Sequence, residues 1–282
     1  MSMAKKSHVI EHLRREKIFK LLAEKKRIDG RGFNDYRPMT IDVGVIEKAN
    51  GSARVIIGNT QIIAGVKISV GTPFPDTPNK GLLVVNAELT PISSPYAETG
   101  PPSEDVIELA RVADRGIRES EMIDNAKLVL VEGEKVLAVF ADVSIINVDG
   151  NLLDAVSYGV ASSLASAKMK KVEVDGDGKV IETDELVPLP IETIPVSITQ
   201  AKIQDALMVD PTLDEETVMD ARITLTSDDR GNICAGQKGI PGSLTPDQII
   251  EASETSLSKG KEIRKIILEA IKDGEEKSKE EL

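Results

Sequence analysis

The sequence predicts an α+β protein made of two similar halves, preceded by an N-terminal helix and ending in a long helix. Segments of strand character and of helix character alternate along the chain, which is the order expected when each half packs helices on its own sheet. Of the 282 residues, 40% are hydrophobic, so the chain can bury one large domain or two smaller lobes. With no Trp, 3 Tyr and 4 Phe, its core is predicted to be aliphatic.

The elements of the first half follow from apolar spacing and turn residues. Apolar residues at helical spacing predict a helix over about residues 8–25, before a loop rich in Gly and Asp. Apolar segments bounded by turn residues predict strands at 39–47, 54–70, 82–91, 127–133 and 135–148. Ser103 as N-cap, with Glu104 and Asp105 in the first turn, predicts a helix over 104–123. A second helix at 151–169 is rich in small residues and is predicted to pack close to a sheet.

The second half is predicted from the same signals. The sequence GDGK at 176–179 interrupts a predicted hairpin, and strands follow at 194–210 and 221–236. Thr245 as N-cap, Pro246 at the first helical position and Gln248 in a capping box predict a helix that runs to about 274. The predicted divisions are an N-terminal extension at 1–26, the first half at 27–190, the second half at 191–274 and a frayed acidic tail at 275–282.

Composition excludes several classes of protein. The single cysteine, Cys234, excludes an internal disulfide framework and cysteine-based zinc sites. A buried, inert thiol in a strand is favoured for it over a nucleophile, because neither histidine lies near it in sequence. No apolar run approaches the roughly 20 residues that span a bilayer, and the N-terminus lacks the apolar core of a signal peptide. We therefore expect a cytoplasmic protein with no membrane partner and no cofactor.

Charge is distributed unevenly along the chain. The net charge is −12, yet residues 1–31 contain ten Lys or Arg against four acids, so the remaining 251 residues carry −18. A field of that sign repels nucleic acid. Any contact with RNA must therefore come from a local basic patch or from a basic partner.

The stretch MVDPTLDEETVMDA at 208–221 contains five carboxylates. It does not fit an EF-hand, because Glu215 stands where a loop that begins at Asp210 requires Gly. Asp214 and Asp220 are six residues apart, and such a pair at a junction of loop and strand can hold Mg²⁺ or act as a general acid. Acidic turns are common, so the residues alone favour a structural role and leave the catalytic one open.

Three further patterns have both a chemical and a structural interpretation. His8, Glu11 and His12 match H-x-x-E-H, a zinc-peptidase pattern, but no third ligand is evident and a solvated helix end is favoured. The sequence GQKGIPG at 236–242 could cradle a phosphate, although it lacks the G-K-[ST] ending of a P-loop and fits a turn. The third pattern is a stripe of three arginines on one helix face, Arg111, Arg115 and Arg118.

The arginine stripe can bind phosphate groups or form surface salt bridges. The available partners along the helix are Glu108 for Arg111, Glu119 for Arg115 and Asp114 for Arg118. Spacing alone favours the salt-bridged surface.

In order along the chain, the segments RIDGRGFNDYRP, ANGSARVIIGNTQIIAGV, ELARVADRGIRES, DGNLLDA and LMVDPTLDEETVMDA resemble the RNase PH family of phosphorolytic 3′→5′ exoribonucleases. The resemblance covers roughly residues 18–272. It implies the RNase PH fold, with two βαβ-like halves of the ribosomal protein S5 domain 2-like type and a C-terminal α/β portion. The sequence VDPTLDEE and the N-terminal helical extension look most like the non-catalytic RNase PH-like subunits of the archaeal exosome.

The resemblance also shows where this chain departs from catalytic members. Those members bind the attacking phosphate through a D-G/A-G-S/T-R-T/S turn, where helix N–H groups, a hydroxyl and a guanidinium converge on the anion. Here Leu152 replaces the hydroxyl, Leu153 replaces the arginine, and Asp154 is expected to place a negative charge where phosphate would dock. Two arginines that precede the middle helix in catalytic members correspond to Glu104 and Asp105. Both departures disfavour anion binding.

The resemblance therefore implies a non-catalytic subunit, with Asp214 and Asp220 as vestigial groups and no metal. It implies a ring with a catalytic RNase PH-like subunit, in three heterodimers, with RNA-binding cap subunits on one face. Arg111 and Arg115 are then expected to contact RNA that enters the partner's site, with a smaller contribution from Arg118. Two alternatives stay open: an active phosphorolytic nuclease that uses Asp214 and Asp220, and a zinc peptidase.

Overall fold

A computed structural model describes residues 8–94, 97, 100–175 and 180–280, without the side chains of 8–12, 173, 174, 182 and 277–280. Within this part of the chain there are five α-helices: α1 (His8–Ala23), α2 (Glu104–Glu119), α3 (Leu152–Ala165), α4 (Leu213–Glu216) and α5 (Pro246–Glu280). A single 3-10 turn spans Asn125–Leu128.

The same residues form twelve strands. They are β1 (Met39–Val43), β2 (Gly51–Ile57), β3 (Thr60–Gly71), β4 (Leu82–Leu89), β5 (Val129–Val131), β6 (Lys135–Asn147), β7 (Lys168–Val174), β8 (Val180–Pro188), β9 (Val196–Ile203), β10 (Ala206–Val209), β11 (Ala221–Ser227) and β12 (Ile233–Gly239).

The strands form two main sheets and one hairpin. The first sheet has the order β1-β2-β3-β6-β4, with β5 also paired to β6, and its β4–β6 pair is parallel because α2 connects the two strands as a crossover. The second sheet has the order β10-β9-β11-β12 and is antiparallel throughout its described pairs. The hairpin of β7 and β8 has the predicted position, and the GDGK turn at 176–179 lies outside the described residues.

Helix α3 lies at the centre of the molecule, where it packs on β2 and β3 of the first sheet and on β9 of the second. Its residues from Leu152 to Leu164 are all buried, as expected of a helix without a charged face. Small residues allow a close approach: a Cβ on Gly51 of β2 would lie 2.2 Å from the carbonyl oxygen of Ser163. The predicted close packing of this helix on a sheet is confirmed.

Two outer helices complete the layers. Helix α2 packs on β4, on α3 and on the edge strand β12, while α5 packs on β9, β11 and β1. Helix α1 buries Ile18 and Leu22 against a cluster that includes Met208 and Met219, two residues of the acidic stretch. The core is aliphatic as predicted, and Tyr158 is its one fully buried aromatic side chain among the described residues.

Several predictions about the elements need correction. Each of the segments 54–70, 194–210 and 221–236 was predicted as one strand and forms two, namely β2 and β3, β9 and β10, and β11 and β12. Helix α3 ends at Ala165 rather than at 169. Helix α1 ends at Ala23 rather than about 25, and α2 ends at Glu119, where Ser120 closes its last turn. Helix α5 continues to Glu280, so the frayed tail predicted from 275 is wrong within the described residues. The acidic stretch is not a plain turn, because it contains α4.

Candidate functional site

The turn that precedes α3 is the position at which catalytic relatives are expected to hold phosphate. Gly150 has φ +85° and Asn151, the N-cap, has φ +53°, so both adopt left-handed backbone. A Cβ on Gly150 would lie 2.5 Å from the amide nitrogen of Leu213 and 2.6 Å from the carbonyl oxygen of Pro211. The turn and the acidic stretch are therefore packed directly against each other, and only glycine fits between them.

A carboxylate of the acidic stretch occupies the N-terminus of α3. The amide of Asn151 donates to Oε1 of Glu216 at 2.8 Å, which is an interaction that a bound anion makes at a helix start. Burial raises the pKa of Glu216 to about 7, although this hydrogen bond opposes the shift. From the sequence we expected Asp154 to be the carboxylate at this position. That expectation is wrong, because Glu216 lies there instead.

Leu152 and Leu153 contribute nothing polar to the turn. Their side chains are 2% and 4% exposed and belong to the main hydrophobic core. The two positions that are expected to carry a hydroxyl and a guanidinium in catalytic relatives are thus buried apolar positions here.

Asp154 points into the protein. Its Oδ2 accepts hydrogen bonds from Tyr36 Oη at 2.7 Å and from Asn151 Nδ2 at 2.9 Å. Burial raises its pKa to about 6, and bonds from Thr199, Tyr36 and Asn151 hold the pKa below what burial alone would give. Burial also raises the pKa values of Tyr36 and Tyr158, whose hydroxyls lie 3.2 Å apart, well above 10. This is a buried structural network with no open anion site.

Asp210 is the most heavily bonded carboxylate of the acidic stretch. It is fully buried and accepts from Arg31 Nη1 at 2.9 Å, from Asn151 Nδ2 at 2.8 Å and from three nitrogens of Arg37 at 2.7–2.9 Å. Burial alone would raise its pKa, but the bonds and charge of Arg37 outweigh burial, so the pKa lies below its ordinary value. Arg37 also donates to the carbonyls of Asp149 and Gly150, so it fixes the turn before α3.

Glu215 is bonded just as closely. Arg27 donates to both of its carboxylate oxygens, at 2.9 and 2.6 Å, and both side chains are almost completely buried. Glu215 also completes a capping box with Thr212, which starts α4. The motif T-x-x-E at 212–215 was visible in the sequence and could have predicted this helical turn.

Asp214 and Asp220, the pair of acids six residues apart, have separate partners. Asp214 forms an ion pair with Arg14 of α1, and Asp220 accepts from the amide of Gln204 at 2.7 Å in the turn between β9 and β10. No group of three or more potential metal ligands occurs among the described residues. Each acid of the pair is thus engaged by a different part of the chain.

The three arginines of α2 line a groove of about 650 Å³ between this helix and strands β11 and β12. Arg118 forms the predicted salt bridge with Asp114 at 2.8 Å and also donates to the carbonyl of Leu83. Arg111 and Arg115 are exposed, and neither side chain has a hydrogen bond or ion pair with any residue that the structure describes. The stripe thus offers two free guanidinium groups to the groove.

Two of the salt bridges that spacing favoured are absent from the described contacts. Glu108 does not pair with Arg111; it accepts from Arg222 of β11 at 2.6 Å. Arg115 does not pair with Glu119. The interpretation of the whole stripe as a salt-bridged surface is therefore wrong at two of its three positions.

The structure describes the remaining sequence motifs in part. The side chains of His8, Glu11 and His12 lie outside the described ones, although their backbone starts α1. The predicted turn at 236–242 begins as part of β12, and the amide of Gly242 is taken by the carbonyl of Asp220 at 3.0 Å. Cys234 lies in β12 as predicted but is half-buried rather than buried, and burial raises its pKa. Within the part of the chain that is described, no helix is both long and apolar enough to span a membrane.

The two-sheet fold, the turn before α3 and the acidic stretch packed on it define a protein of RNase PH type. Family models agree, because residues 35–170 match domain 1 of the 3′ exoribonuclease family and residues 193–259 match domain 2. The chain therefore belongs to this family, and the predicted fold class and family resemblance are confirmed.

Relatives of the chain are similar over almost its whole length. It is 50% identical over 267 residues to the exosome complex component Rrp42 of Pyrococcus horikoshii, a match that covers 94% of this chain and 97% of that protein. The Rrp42 of Methanosarcina mazei is 45% identical over 273 residues, which cover 97% and 100% of the two chains. Among solved structures, a chain of the Archaeoglobus fulgidus exosome with RNA bound to the active site matches with a TM-score of 0.84 and 41% identity, covering 91% of this chain and 98% of that one.

Proposed function

We propose that this chain is a non-catalytic subunit of an archaeal exosome, working in the cytoplasm in 3′→5′ phosphorolytic degradation and processing of RNA. The observation that carries the proposal is the occupied N-terminus of α3. Glu216 accepts from the amide that a phosphate would need, while Leu152 and Leu153 lie in the core. The similarity to proteins named Rrp42 and to an exosome chain supports the same assignment.

The proposed assembly is a ring in which this chain alternates with a catalytic RNase PH-like subunit, with RNA-binding cap subunits on one face. In the ring this chain shapes the partner's active site and holds the backbone of the incoming RNA. The two free guanidinium groups of Arg111 and Arg115 are the contacts we propose, because guanidinium groups bind phosphates well and neither group is neutralised by a residue that the structure describes. Arg118 contributes less, since Asp114 already engages it.

Incubation of the purified full-length chain with oligo(A) and inorganic phosphate tests whether it is catalytic. We expect no release of nucleoside diphosphates from the chain alone, and release when the presumed catalytic partner is added. Release by the chain alone would overturn the proposal in favour of an active nuclease that uses Asp214 and Asp220. Loss of that release in an Asp214→Asn variant would then identify the pair as catalytic.

The RNA contacts are tested in the assembled complex with Arg111→Ala plus Arg115→Ala. For single strands each neutralised phosphate contributes roughly 0.7 to the slope of log affinity against log salt, so the slope should fall by about 1.4. Arg54→Ala is the matched control, because Arg54 is also a partly exposed arginine but is paired with Asp42 on the first sheet. An unchanged affinity and slope in the double variant, with the complex intact, would refute RNA binding by the stripe.

The zinc-peptidase alternative is tested with the metal alone. Stoichiometric zinc in the purified chain that is lost on His8→Ala would favour it, and we expect no such binding.

A further inference from the structure

A buried arginine that no sequence motif indicated lies beside the groove. Arg222 on β11 is 5% exposed, and its Nη2 donates to Oε1 of Glu108 at 2.6 Å. The same carboxylate oxygen lies 3.4 Å from Nε2 of Gln237 on β12. Glu108 is thus held toward the sheet by two groups that are remote from it in sequence.

The position of Glu108 matters because Arg111 follows it by one helical turn. Acidic and basic residues three or four apart on a helix normally meet, as Arg118 and Asp114 do on this same helix. Arg111 has two acidic neighbours at that spacing, Glu108 and Asp114. Each of them is bonded to another arginine, and for this reason Arg111 stays free.

Glu108 could pair with Arg222 or with Arg111, and its bond to Arg222 is the stronger of the two. Arg222 is almost fully removed from water, so its attraction to a carboxylate is screened less than that of the exposed Arg111. Loss of this partner would also leave a buried guanidinium without its counter-ion, which is strongly unfavourable.

The sheet holds Arg222 in place. The facing residue on β12 is Gly239, and a Cβ built there would lie 2.5 Å from Nη2 of Arg222. An added Cβ would therefore press on the guanidinium and force it to shift from its position across β12. The Nε of Arg222 has no hydrogen-bond partner among the described residues, and Glu108 is the acid with which this side chain forms an ion pair there.

We propose that Arg222 is a positioning residue: it captures Glu108 and thereby keeps Arg111 available for an RNA phosphate. The inference rests on the proposed function, in which Arg111 contacts RNA. Arg222 itself does not touch the RNA. Its contribution is to prevent a salt bridge within α2 that would neutralise Arg111.

The test is a double-mutant cycle on RNA affinity in the assembled complex. Arg222→Met keeps the length of the side chain and releases Glu108, so RNA affinity should fall by about two- to fivefold, the strength of an exposed salt bridge that now competes for Arg111. In an Arg111→Ala background, Arg222→Met should have no further effect, because no guanidinium remains to be neutralised. If Arg222 instead acted through general folding or through the overall electrostatic field, the losses of RNA affinity from the two substitutions would add.

Two variants separate this effect from misfolding. Arg264→Met removes an arginine that is 7% exposed and lies on the opposite face of the second sheet, where it donates to the carbonyls of Ile194 and Ser227. It should cost stability without changing RNA affinity. Gly239→Ala keeps the charge of Arg222 but displaces its guanidinium, and it should weaken RNA binding in the same direction as Arg222→Met.

The outcomes are distinguishable. If Arg111→Ala weakens binding while Arg222→Met and Gly239→Ala do not, or if the losses are additive, the positioning role is overturned and the proposed function stands. If Arg111→Ala itself has no effect on RNA binding, RNA contact by the stripe fails, and this inference fails with it.

Discussion

Substitution of Asp210 by Asn tests the buried network that joins the acidic stretch to the rest of the molecule. The wild-type carboxylate is fully buried and accepts five hydrogen bonds, at 2.7–2.9 Å, from Arg31, Arg37 and Asn151. Asn keeps the shape but removes the charge and turns one acceptor into a donor that faces other donors. Removal of one partner of a buried ion pair costs about 3–5 kcal/mol, so we expect a loss of that size in the free energy of unfolding.

The measurement is chemical denaturation of the full-length chain at pH 7 and again near pH 3. The folded pKa of Asp210 is depressed, so its contribution is fully present above its unfolded pKa, about 3.9, and is lost as the pH falls through the folded value. The gap between wild type and Asp210→Asn should therefore narrow at the lower pH. Asp42→Asn is the control, because Asp42 pairs with Arg54 at the surface and should cost less than about 1 kcal/mol. The reasoning is refuted if Asp210→Asn lowers the free energy of unfolding no more than Asp42→Asn does. It is also refuted if the difference between wild type and Asp210→Asn is the same at both pH values.

Three further predictions concern the same region and are checked by denaturation of the full-length chain. Gly150→Ala forces a Cβ into the backbone of residues 211–213 at a left-handed position, and we expect a loss of at least about 2 kcal/mol. Thr212→Ala removes the N-cap of α4 and should cost about 1 kcal/mol, with a cost near zero contradicting the capping box. Glu216 has a folded pKa of about 7 against 4.5, so the folded state binds the extra proton and stability falls as pH rises between these values. Glu216→Gln removes this dependence, so the stability of wild type relative to the variant should decline from pH 4.5 to 7. If the difference in stability between the two proteins does not change with pH, the buried position of the carboxylate is contradicted.

Local signals predicted the elements well, and contacts between distant residues decided the rest. The start of α5 was predictable because its capping box is local: Thr245 and Gln248 exchange bonds at 3.0 and 3.2 Å. The end of α5 was not, since charged residues beyond 274 continue the helix without an apolar pattern. The pairing of Glu108 with Arg222 spans 114 residues and depends on the position of β11 beside α2, which no spacing rule on one helix contains.

The site was predictable in its residues but not in its geometry. Leu152 and Leu153 were identified from the family pattern, and their burial agrees with the lost phosphate turn. The choice of Glu216 rather than Asp154 as the carboxylate at the start of α3 depends on how the acidic stretch packs on Gly150. Asp154 is nearest to that position in sequence, yet the helix turns its side chain inward.

The uneven charge of the chain has its explanation in this packing. Three arginines from the basic first 31 residues bond three acids of the stretch: Arg14 to Asp214, Arg27 to Glu215 and Arg31 to Asp210. A basic N-terminal segment in an acidic protein could have been an arm for nucleic acid, but these three cations are already neutralised inside the fold. The number of arginines in a segment therefore says little about RNA binding. An arginine stays unpaired only where the folded chain bonds the neighbouring acids to other residues. By that criterion Arg111 is the clearest candidate for the proposed RNA contact, because both of its acidic neighbours, Glu108 and Asp114, are bonded to other arginines.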